Sequence, residues 1–295
     1  MEWVMLSILG AFGQALAWGL KKKALDNQDV NNITGLISYV VAGTALLLIY
    51  FVLEIGNSEV HLTIKFWTAT FFIIILNILA TWTGYRAIDK SALSALMPFV
   101  SLTALAIVPF EYLLRHTLPS TYQLWGTVIV VLGAVIVSIK KDTITKESLA
   151  MAGYFSVTLV CYSIASPLMG VAVTESGSGV LSATIVHLGI GLGFIPIVLV
   201  SRESKIVSRL KQEGKWPRLL LWMVLAGIVI AVLENGPINV ALESATASEV
   251  FALKRTMPFF SLILGVLMFQ ERVTLRHGIG TTFLVIGSAM IVWFR

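Results

Sequence analysis

Residues 120–139 have the sequence STYQLWGTVIVVLGAVIVSI, twenty residues that include no charged side chain. A run of this length is long enough to cross a bilayer as an α-helix, whereas a buried strand is usually much shorter. A related run, LRHGIGTTFLVIGSAMIVWF, occupies residues 275–294. The two stretches predict membrane-spanning helices and indicate an internal repeat.

Similar apolar runs follow one another along the whole chain. Each is about 18 residues or longer and is bounded by charged or turn residues, so each is predicted to be a helix. The ten runs lie at about 3–20, 33–53, 66–85, 92–114, 120–139, 148–172, 180–200, 217–242, 247–269 and 275–294. The first run lacks the basic start of a signal peptide, so we expect it to be retained.

The composition agrees with a polytopic membrane protein. Hydrophobic residues make up 57% of the 295 residues and charged residues 13%, about half the charged share of a soluble domain. The single cysteine, Cys161, excludes a disulfide scaffold. Ten spans of about 20 residues would use roughly 200 residues and leave only short loops. We therefore predict an all-α integral membrane protein with ten transmembrane helices.

Two copies of a five-helix unit would explain the recurring run. A shift of 154 residues aligns 84–140 with 238–294 without a gap, and a rival register through Met97-Pro98-Phe99 and Met257-Pro258-Phe259 needs a gap. An odd number of spans gives the halves opposite orientations, an inverted repeat that is typical of transporters. We predict the halves to be 1–142 and 143–295. The ungapped register pairs Gly126 with Gly280 and Gly133 with Gly287, which we interpret as helix-packing positions.

Basic residues indicate the orientation of a membrane protein. Of the 21 lysines and arginines, 16 fall in the loops that follow odd-numbered spans, and the termini and other loops hold only Lys65, Arg115 and Arg295. This bias predicts that both termini lie outside the cytoplasm. The net charge of +5 is then explained by topology, and nucleic-acid binding is not expected.

Two of the basic clusters have simple interpretations. Lys21-Lys22-Lys23 is interpreted as the cytoplasmic anchor of span 1. The largest cluster lies within 202–218, where Ile206, Val207 and Leu210 share a helical face. That stretch is expected either to lie on an anionic leaflet or to be a solvated loop.

Four charged residues lie well within the runs, namely Glu111, Glu234, Lys254 and Arg255. Charges at that depth are expensive and usually face the bundle interior or an aqueous cavity. Lys254 and Arg255 point about 100° apart on a helix, and their repeat counterparts, Val100 and Ser101, are uncharged. Two interpretations stay open: recognition of a carboxylate or phosphate group, or a structural salt bridge with Glu234 or Glu111.

Span 8 combines polar side chains with a helix breaker. Pro237 removes a backbone donor and should kink the helix, which frees a carbonyl one turn earlier. Glu234, Asn235 and Asn239 surround it. A broken helix with amides and a carboxylate at mid-depth suits a substrate site, and Glu234 either carries a proton or stabilises the bundle.

Other spans offer further polar groups. Asn77, Thr81 and Tyr85 recur at i, i+4 and i+8 with Trp82 between them, and His187 lies in span 7 as a proton relay or a hydrogen-bonded neighbour. We predict proton coupling by Glu234 and His187. We predict substrate binding by Lys254, Arg255, Glu234, Asn235, Asn239, Asn77, Thr81, Trp82 and Tyr85.

Enzyme signatures are absent from the sequence, which has no P-loop, no G-x-S-x-G and no His-rich metal cluster. We therefore expect no enzyme, cofactor or metal, but a secondary active transporter that moves a small polar metabolite by alternating access. An amino acid or organic anion would suit these charges. The expected setting is the cell (inner) membrane, with lipid as neighbour and a monomer or homodimer as the assembly. An intramembrane enzyme acting on a lipid-linked group through Glu234 and His187, and a channel, are the alternatives.

The last two spans resemble those of the EamA type of the drug/metabolite transporter superfamily. The resemblance rests on Ala252-Leu253-Lys254-Arg255-Thr256-Met257-Pro258-Phe259-Phe260, then Phe269-Gln270-Glu271-Arg272, then Gly280 and Gly287. Members of that family are secondary carriers, often exporters. The resemblance implies ten spans, a central cavity with contributions from spans 3, 4, 8 and 9, and both termini in the cytoplasm, which is opposite to the basic-residue count.

Overall fold

The computed structural model describes residues 2–25, 29–54, 60–90, 93–138, 146–201, 203–269 and 274–294, and in these ranges the chain is helical without strands. The helices are α1 (Glu2–Leu25), α2 (Asn31–Leu53), α3 (Ile64–Lys90), α4 (Leu93–Arg115), α5 (Thr121–Ser138), α6 (Lys146–Ser176), α7 (Gly179–Val200), α8 (Glu203–Gln212), α9 (Trp216–Val229), α10 (Gly236–Ala241), α11 (Ala247–Lys254), α12 (Met257–Phe269) and α13 (Leu275–Trp293). A π-helical segment, Ile230–Asn235, joins α9 to α10.

Helices occupy all ten of the predicted runs, which confirms the all-α prediction for the described residues. Seven helical stretches in this part of the chain are long and apolar enough to cross a membrane. They are α1, α2, α3, α6, α7, the α9–α10 stretch and α13. The count of ten spans stays a prediction.

Span 8 is interrupted where the sequence predicted a kink. The helix widens into the π-helical segment just before Pro237, and the backbone N–H of Gly236 donates to the carbonyl of Ala231. Gly13 of α1 packs directly against the Leu233 carbonyl, one turn before the proline, where a Cβ could not fit. The missing donor of Pro237 and the missing side chain of Gly13 together let α1 approach the broken helix closely.

The ninth run, predicted as one continuous span over 247–269, is in fact two helices. α11 ends at Lys254, and the Arg255 and Thr256 N–H groups donate to Ala252 and Leu253 in a tight turn. Pro258 follows in the first turn of α12, a position that proline favours because its ring presets the backbone and needs no donor. The break places Lys254 and Arg255 at a helix end, where cations offset the negative end of the helix dipole.

The two halves pack with an internal symmetry that the glycine repeat predicts. An added Cβ at Gly126 would lie 2.8 Å from the carbonyl oxygen of Gly287, and one at Gly133 would lie 2.7 Å from that of Gly280. Because the repeat pairs Gly126 with Gly280 and Gly133 with Gly287, these two contacts are equivalent under a two-fold rotation. The counterpart helices α5 and α13 therefore run antiparallel, as an inverted repeat requires, in the ungapped register.

We expect Gly287→Ala to destabilise the protein strongly, because the added methyl group would lie 2.6 Å from the Gly126 carbonyl oxygen and 2.7 Å from the Val130 nitrogen. Overpacking of this kind costs about 1–3 kcal/mol. Gly278→Ala is the matched control on the same helix, since nothing lies within 4 Å of its added Cβ. Thermal melting in detergent should show a lower melting temperature for Gly287→Ala alone; equal melting of the two variants would contradict the packing.

Helices α1, α2, α6 and α7 also pack against helices of the opposite half. α2 packs antiparallel on its counterpart α7, with Gly43 against Leu188 and Gly191 against Val40. α1 packs on α9 to α12 of the second half, whereas its counterpart α6 packs on α3 and α4 of the first half. The arrangement surrounds the middle of the bundle with α1, α2, α3, α6, α7 and the broken spans.

The apolar face of helix α8 packs against the protein. This face therefore does not rest on a lipid leaflet, and the segment is not a solvated loop. Leu210 is fully buried, and Ile206 and Val207 pack with it against α1, α2 and α9. Glu203 at its start accepts hydrogen bonds from the N–H groups of Asn32 (3.0 Å) and Ile33 (2.8 Å) and so caps α2. The charged face of α8 alone is left for solvent or lipid.

Candidate functional site

A buried cavity of about 90 Å³ lies in the middle of the bundle, where the break in span 8 faces the break after α11. Because a water molecule takes about 30 Å³ in the liquid, the cavity has room for about three water molecules, or for the polar groups of a small metabolite. The lining residues are Gln14, Trp18, Lys21, Tyr39, Ile73, Asn77, Tyr162, Ala165, Ser166, Met169, Val186, His187, Ile190, Glu234, Asn235, Ile238, Asn239, Phe251, Lys254 and Arg255.

Lys254 and Glu234 form a buried ion pair across the cavity. The Lys254 Nζ donates to Oε1 of Glu234 at 3.1 Å, and both side chains are less than a tenth exposed. The π-helical segment places Glu234 at the same depth in the bundle as Lys254 at the end of α11, which brings the two charges together. The predicted salt bridge with Glu234 is therefore present, while the other predicted partner, Glu111, lies elsewhere.

Glu111 is used as a helix cap, which corrects its assignment as a partner of Lys254 or Arg255. Its oxygens accept from the N–H groups of Ala247 (3.2 Å) and Ser248 (2.8 Å), at the start of α11. Arg115 pairs with the same carboxylate at 3.3 Å. Glu111 thus fixes the far end of the short helix that positions Lys254.

Arg255 has no comparable partner. The residue is 4% exposed, its Nε has no hydrogen-bond partner, and it forms no ion pair with any residue that the structure describes. Three acceptors at the same cavity are also unused, the Oε1 of Gln14, the Oε2 of Glu234 and the Oδ1 of Asn239. Buried polar groups are normally satisfied, so an unsatisfied donor beside unsatisfied acceptors indicates a place for a polar ligand.

Lys21 is part of the cavity wall, although it was interpreted as a cytoplasmic anchor. The residue is 5% exposed, and its Nζ lies 5.5 Å from the ring centre of Tyr39 and 5.3 Å from that of Tyr85. Gln14, Trp18 and Lys21 face the cavity together because they recur at i, i+4 and i+7 on α1. Aromatic faces stabilise a cation that has left water.

Replacement of Lys21 by glutamine is expected to raise the substrate KM by about tenfold, because one cation less would face an anionic substrate. Lys22→Gln is the matched control, since Lys22 is the next residue and is exposed. Uptake kinetics in proteoliposomes would measure both variants. Equal KM values for Lys21→Gln and Lys22→Gln would support the interpretation of Lys21 as a cytoplasmic anchor.

His187 is held by both ring nitrogens. Its Nδ1 lies 2.7 Å from the Ala183 carbonyl oxygen and so carries the proton, while Nε2 faces the amide Nδ2 of Asn235 at 3.1 Å and so accepts. This arrangement fixes a neutral ring and orients Asn235. The hydroxyls of Tyr39 and Thr81 are joined nearby at 3.1 Å.

The structure brings most of the predicted substrate-binding residues to one cavity. Those that line it are Lys254, Arg255, Glu234, Asn235, Asn239 and Asn77, together with His187. Thr81 and Tyr85 lie behind this layer, where they support Tyr39 and Lys21. Trp82 faces a separate groove. Spans 3, 8 and 9 line the cavity, as the resemblance implied. Spans 1, 2, 6 and 7 line it as well. The resemblance also implied span 4, but no described side chain of α4 lines the cavity.

The charges of the cavity are unbalanced. Lys21, Lys254 and Arg255 stand against Glu234, the one carboxylate among the described lining residues, which leaves an excess of two positive charges. Sequence reasoning missed Lys21 and Tyr39 as lining residues. A signal for Lys21 was available in its i+3 spacing from Trp18.

Comparison with known families agrees with this geometry. The model of the EamA-like transporter family matches residues 1–139 and again 150–293, once in each half. The chain belongs to the EamA-like transporter family. The two matches confirm the resemblance over both halves of the chain.

This EamA-like transporter is thus a multi-pass membrane protein of a transporter family. No curated protein matches the chain. One solved structure, titled only "Crystal structure of protein", is similar in fold with a TM-score of 0.74; it is 13% identical, and the match covers 97% of this chain and 96% of that one. At this identity the likeness concerns the fold alone.

Proposed function

We propose that this protein is a secondary active transporter that exports a small organic acid bearing a hydrogen-bond donor, such as an amino acid or hydroxy acid, by alternating access. The observation that carries the proposal is the cavity with its excess of two positive charges and its unpaired Arg255. A carboxylate would accept hydrogen bonds from Arg255 in a charge-assisted pair, the strongest kind that a protein offers.

The acceptors of the cavity support a second contact with the same molecule. Lys254 uses Oε1 of Glu234, so Oε2 remains for a substrate ammonium or hydroxyl, or for a coupled proton. The Oδ1 of Asn239 offers another acceptor. In this proposal His187 orients Asn235 and Glu234 binds the coupled proton.

The inverted repeat supports the transport mechanism. Because α5 pairs with α13 and α2 with α7 around the centre, the two halves can exchange conformations and open the cavity to either side. The same framework gives no support to an intramembrane enzyme, since the ring nitrogens of His187 are engaged with Ala183 and Asn235 and do not contact Glu234.

Counterflow in sealed proteoliposomes tests this function. Vesicles loaded with one unlabelled candidate, from small amino acids, mono- and dicarboxylates, neutral sugars or amines, would be given a trace of the labelled compound outside. We expect saturable counterflow with carboxylates and none with sugars or amines. Flux that does not saturate would contradict the carrier in favour of a channel, and product formation in detergent without vesicles would contradict it in favour of an enzyme.

A further inference from the structure

A second site lies at the basic end of the bundle and shares no residue with the central cavity. It is an open groove of about 470 Å³ between the ends of α3 and α7, with the start of α2 at its base. Its lining includes Trp82 and Arg86 on one wall and Pro196, Ile197 and Val200 on the other, with Asn32 between them. This groove has room for part of a lipid molecule.

The groove lies beyond the close contacts that α3 and α7 make deeper in the bundle. Deeper in the bundle, Ile74 packs on Gly189 and Ile78 packs on Gly193, where an added Cβ would displace the end of the isoleucine side chain. Beyond Gly193 this close contact gives way to Pro196, which cannot donate its backbone hydrogen bond. The open groove begins at this position on α7.

One wall of the groove is apolar and outward-facing. Val200 is 88% exposed and Pro196 is exposed as well, although both belong to a helix that is long and apolar enough to span a membrane. Exposed apolar side chains on such a helix face acyl chains rather than water. The wall therefore suits the upper part of an acyl chain.

The other wall holds a cation in a fixed position. The Arg86 guanidinium lies 4.0 Å from the ring centre of Trp82, and its NH1 donates to the Trp82 carbonyl oxygen at 3.0 Å. Glu203 is close, but its two oxygens accept from the Asn32 and Ile33 N–H groups, and no ion pair joins it to Arg86. Arg86 is half-buried and keeps further donors for a phosphate.

The surroundings of the groove favour a negatively charged lipid. Helix α8 and the start of α9 follow α7 directly, and they expose five basic side chains at the same end, Lys205, Arg209, Lys211, Lys215 and Arg218. Each basic residue near a membrane surface adds about 1 kcal/mol of attraction to anionic lipid. Basic pockets between spanning helices are known to take such headgroups.

We propose that the α3–α7 groove binds an anionic phospholipid, with its phosphate on Arg86 and the top of one acyl chain along Pro196, Ile197 and Val200. The bound lipid contacts α3 of the first half and α7 of the second half at once. Because it binds the folded state, it raises the stability of the transporter. This site is independent of the substrate proposed for the central cavity.

Thermal melting of the delipidated, detergent-purified full chain tests the site. Phosphatidylglycerol is expected to raise the melting temperature by about 5 °C more than phosphatidylcholine does. Soluble glycerol 3-phosphate should give no rise, because it lacks the acyl chain. An equal rise with glycerol 3-phosphate would overturn the proposal in favour of a small-anion site.

Two variants and a control locate the effect. Arg86→Gln is expected to raise the phosphatidylglycerol concentration for half of the shift by about tenfold. Ile197→Trp should do the same by filling the apolar wall while leaving the cation, and Lys65→Gln, an exposed lysine at the opposite end of α3, should behave as wild type. Each shift is measured against the lipid-free melting of the same variant. An unchanged lipid response in both Arg86→Gln and Ile197→Trp would overturn the proposal.

Discussion

Replacement of Arg255 by glutamine is expected to lower transport by about 10- to 150-fold, because a hydrogen bond to a charged group contributes about 1.5–3 kcal/mol. Arg255 and Lys21 are both buried cations without an ion-pair partner among the described residues, but Lys21 lies against two aromatic rings, so the Arg255 guanidinium is the group that an incoming carboxylate would meet. Initial rates of labelled-substrate counterflow in proteoliposomes would measure the loss.

The same variant separates substrate recognition from a structural role. Without its substrate, Arg255→Gln should melt at the wild-type temperature or above, since it removes a buried charge that forms no ion pair with a described carboxylate. Arg209→Gln is the control for a surface arginine, as the Arg209 side chain is 59% exposed. A loss of several kcal/mol of stability with unchanged transport would make Arg255 a structural residue.

Replacement of Lys254 by methionine is expected to lower the free energy of unfolding by about 3–5 kcal/mol, because it leaves the Glu234 carboxylate buried without its cation. The double variant Lys254→Met with Glu234→Gln should regain most of that stability, since no unpaired carboxylate remains. Transport should stay low in both variants. Thermal melting and counterflow would be measured on the same preparations.

An exposed ion pair between a lysine and a glutamate provides the control for the Lys254→Met variants. Lys65 and Glu175 lie 3.8 Å apart with the lysine side chain 80% exposed. Lys65→Met should therefore change the stability by less than about 1 kcal/mol. Similar losses for Lys254→Met and Lys65→Met would show that burial does not strengthen the Lys254–Glu234 pair.

Several features followed from the sequence because their causes are local. Pro237 cannot donate a backbone hydrogen bond, so the interruption of span 8 was predictable from one residue. The recurrence of Gly126 and Gly133 at Gly280 and Gly287 predicted helix-packing positions, and in the structure these glycines bring α5 against α13. The charges of span 9 were expected to face the interior. Glu234, the partner of Lys254 in the structure, was one of the two partners that were considered.

Other features depend on how distant segments meet. Lys21 stands beside two further lysines at a span end, and only the packing of α2 and α3 shows that Tyr39 and Tyr85 enclose it. Trp82 follows Thr81 by one residue and therefore points about 100° away, toward the groove instead of the cavity. The break after Lys254 was signalled by Pro258, but the apolar run concealed it.

The orientation of the chain stays a prediction. At one end of the bundle, Glu203 at the start of α8 accepts hydrogen bonds from the start of α2. At the opposite end, the hydroxyl of Ser178 donates to Glu54 and that of Thr63 donates to Glu175. One end is thus rich in basic residues and the other in carboxylates, which agrees with a cytoplasmic location of the basic end.

The central claim is that the cavity selects a carboxylate through Arg255. Titration calorimetry of the purified transporter, with a carboxylic acid that is active in counterflow and with the primary amide of the same compound, tests it most directly. We predict that the amide binds wild type at least about tenfold more weakly than the acid, and that Arg255→Gln reduces this difference. Equal affinity of wild type for the acid and the amide would contradict the account.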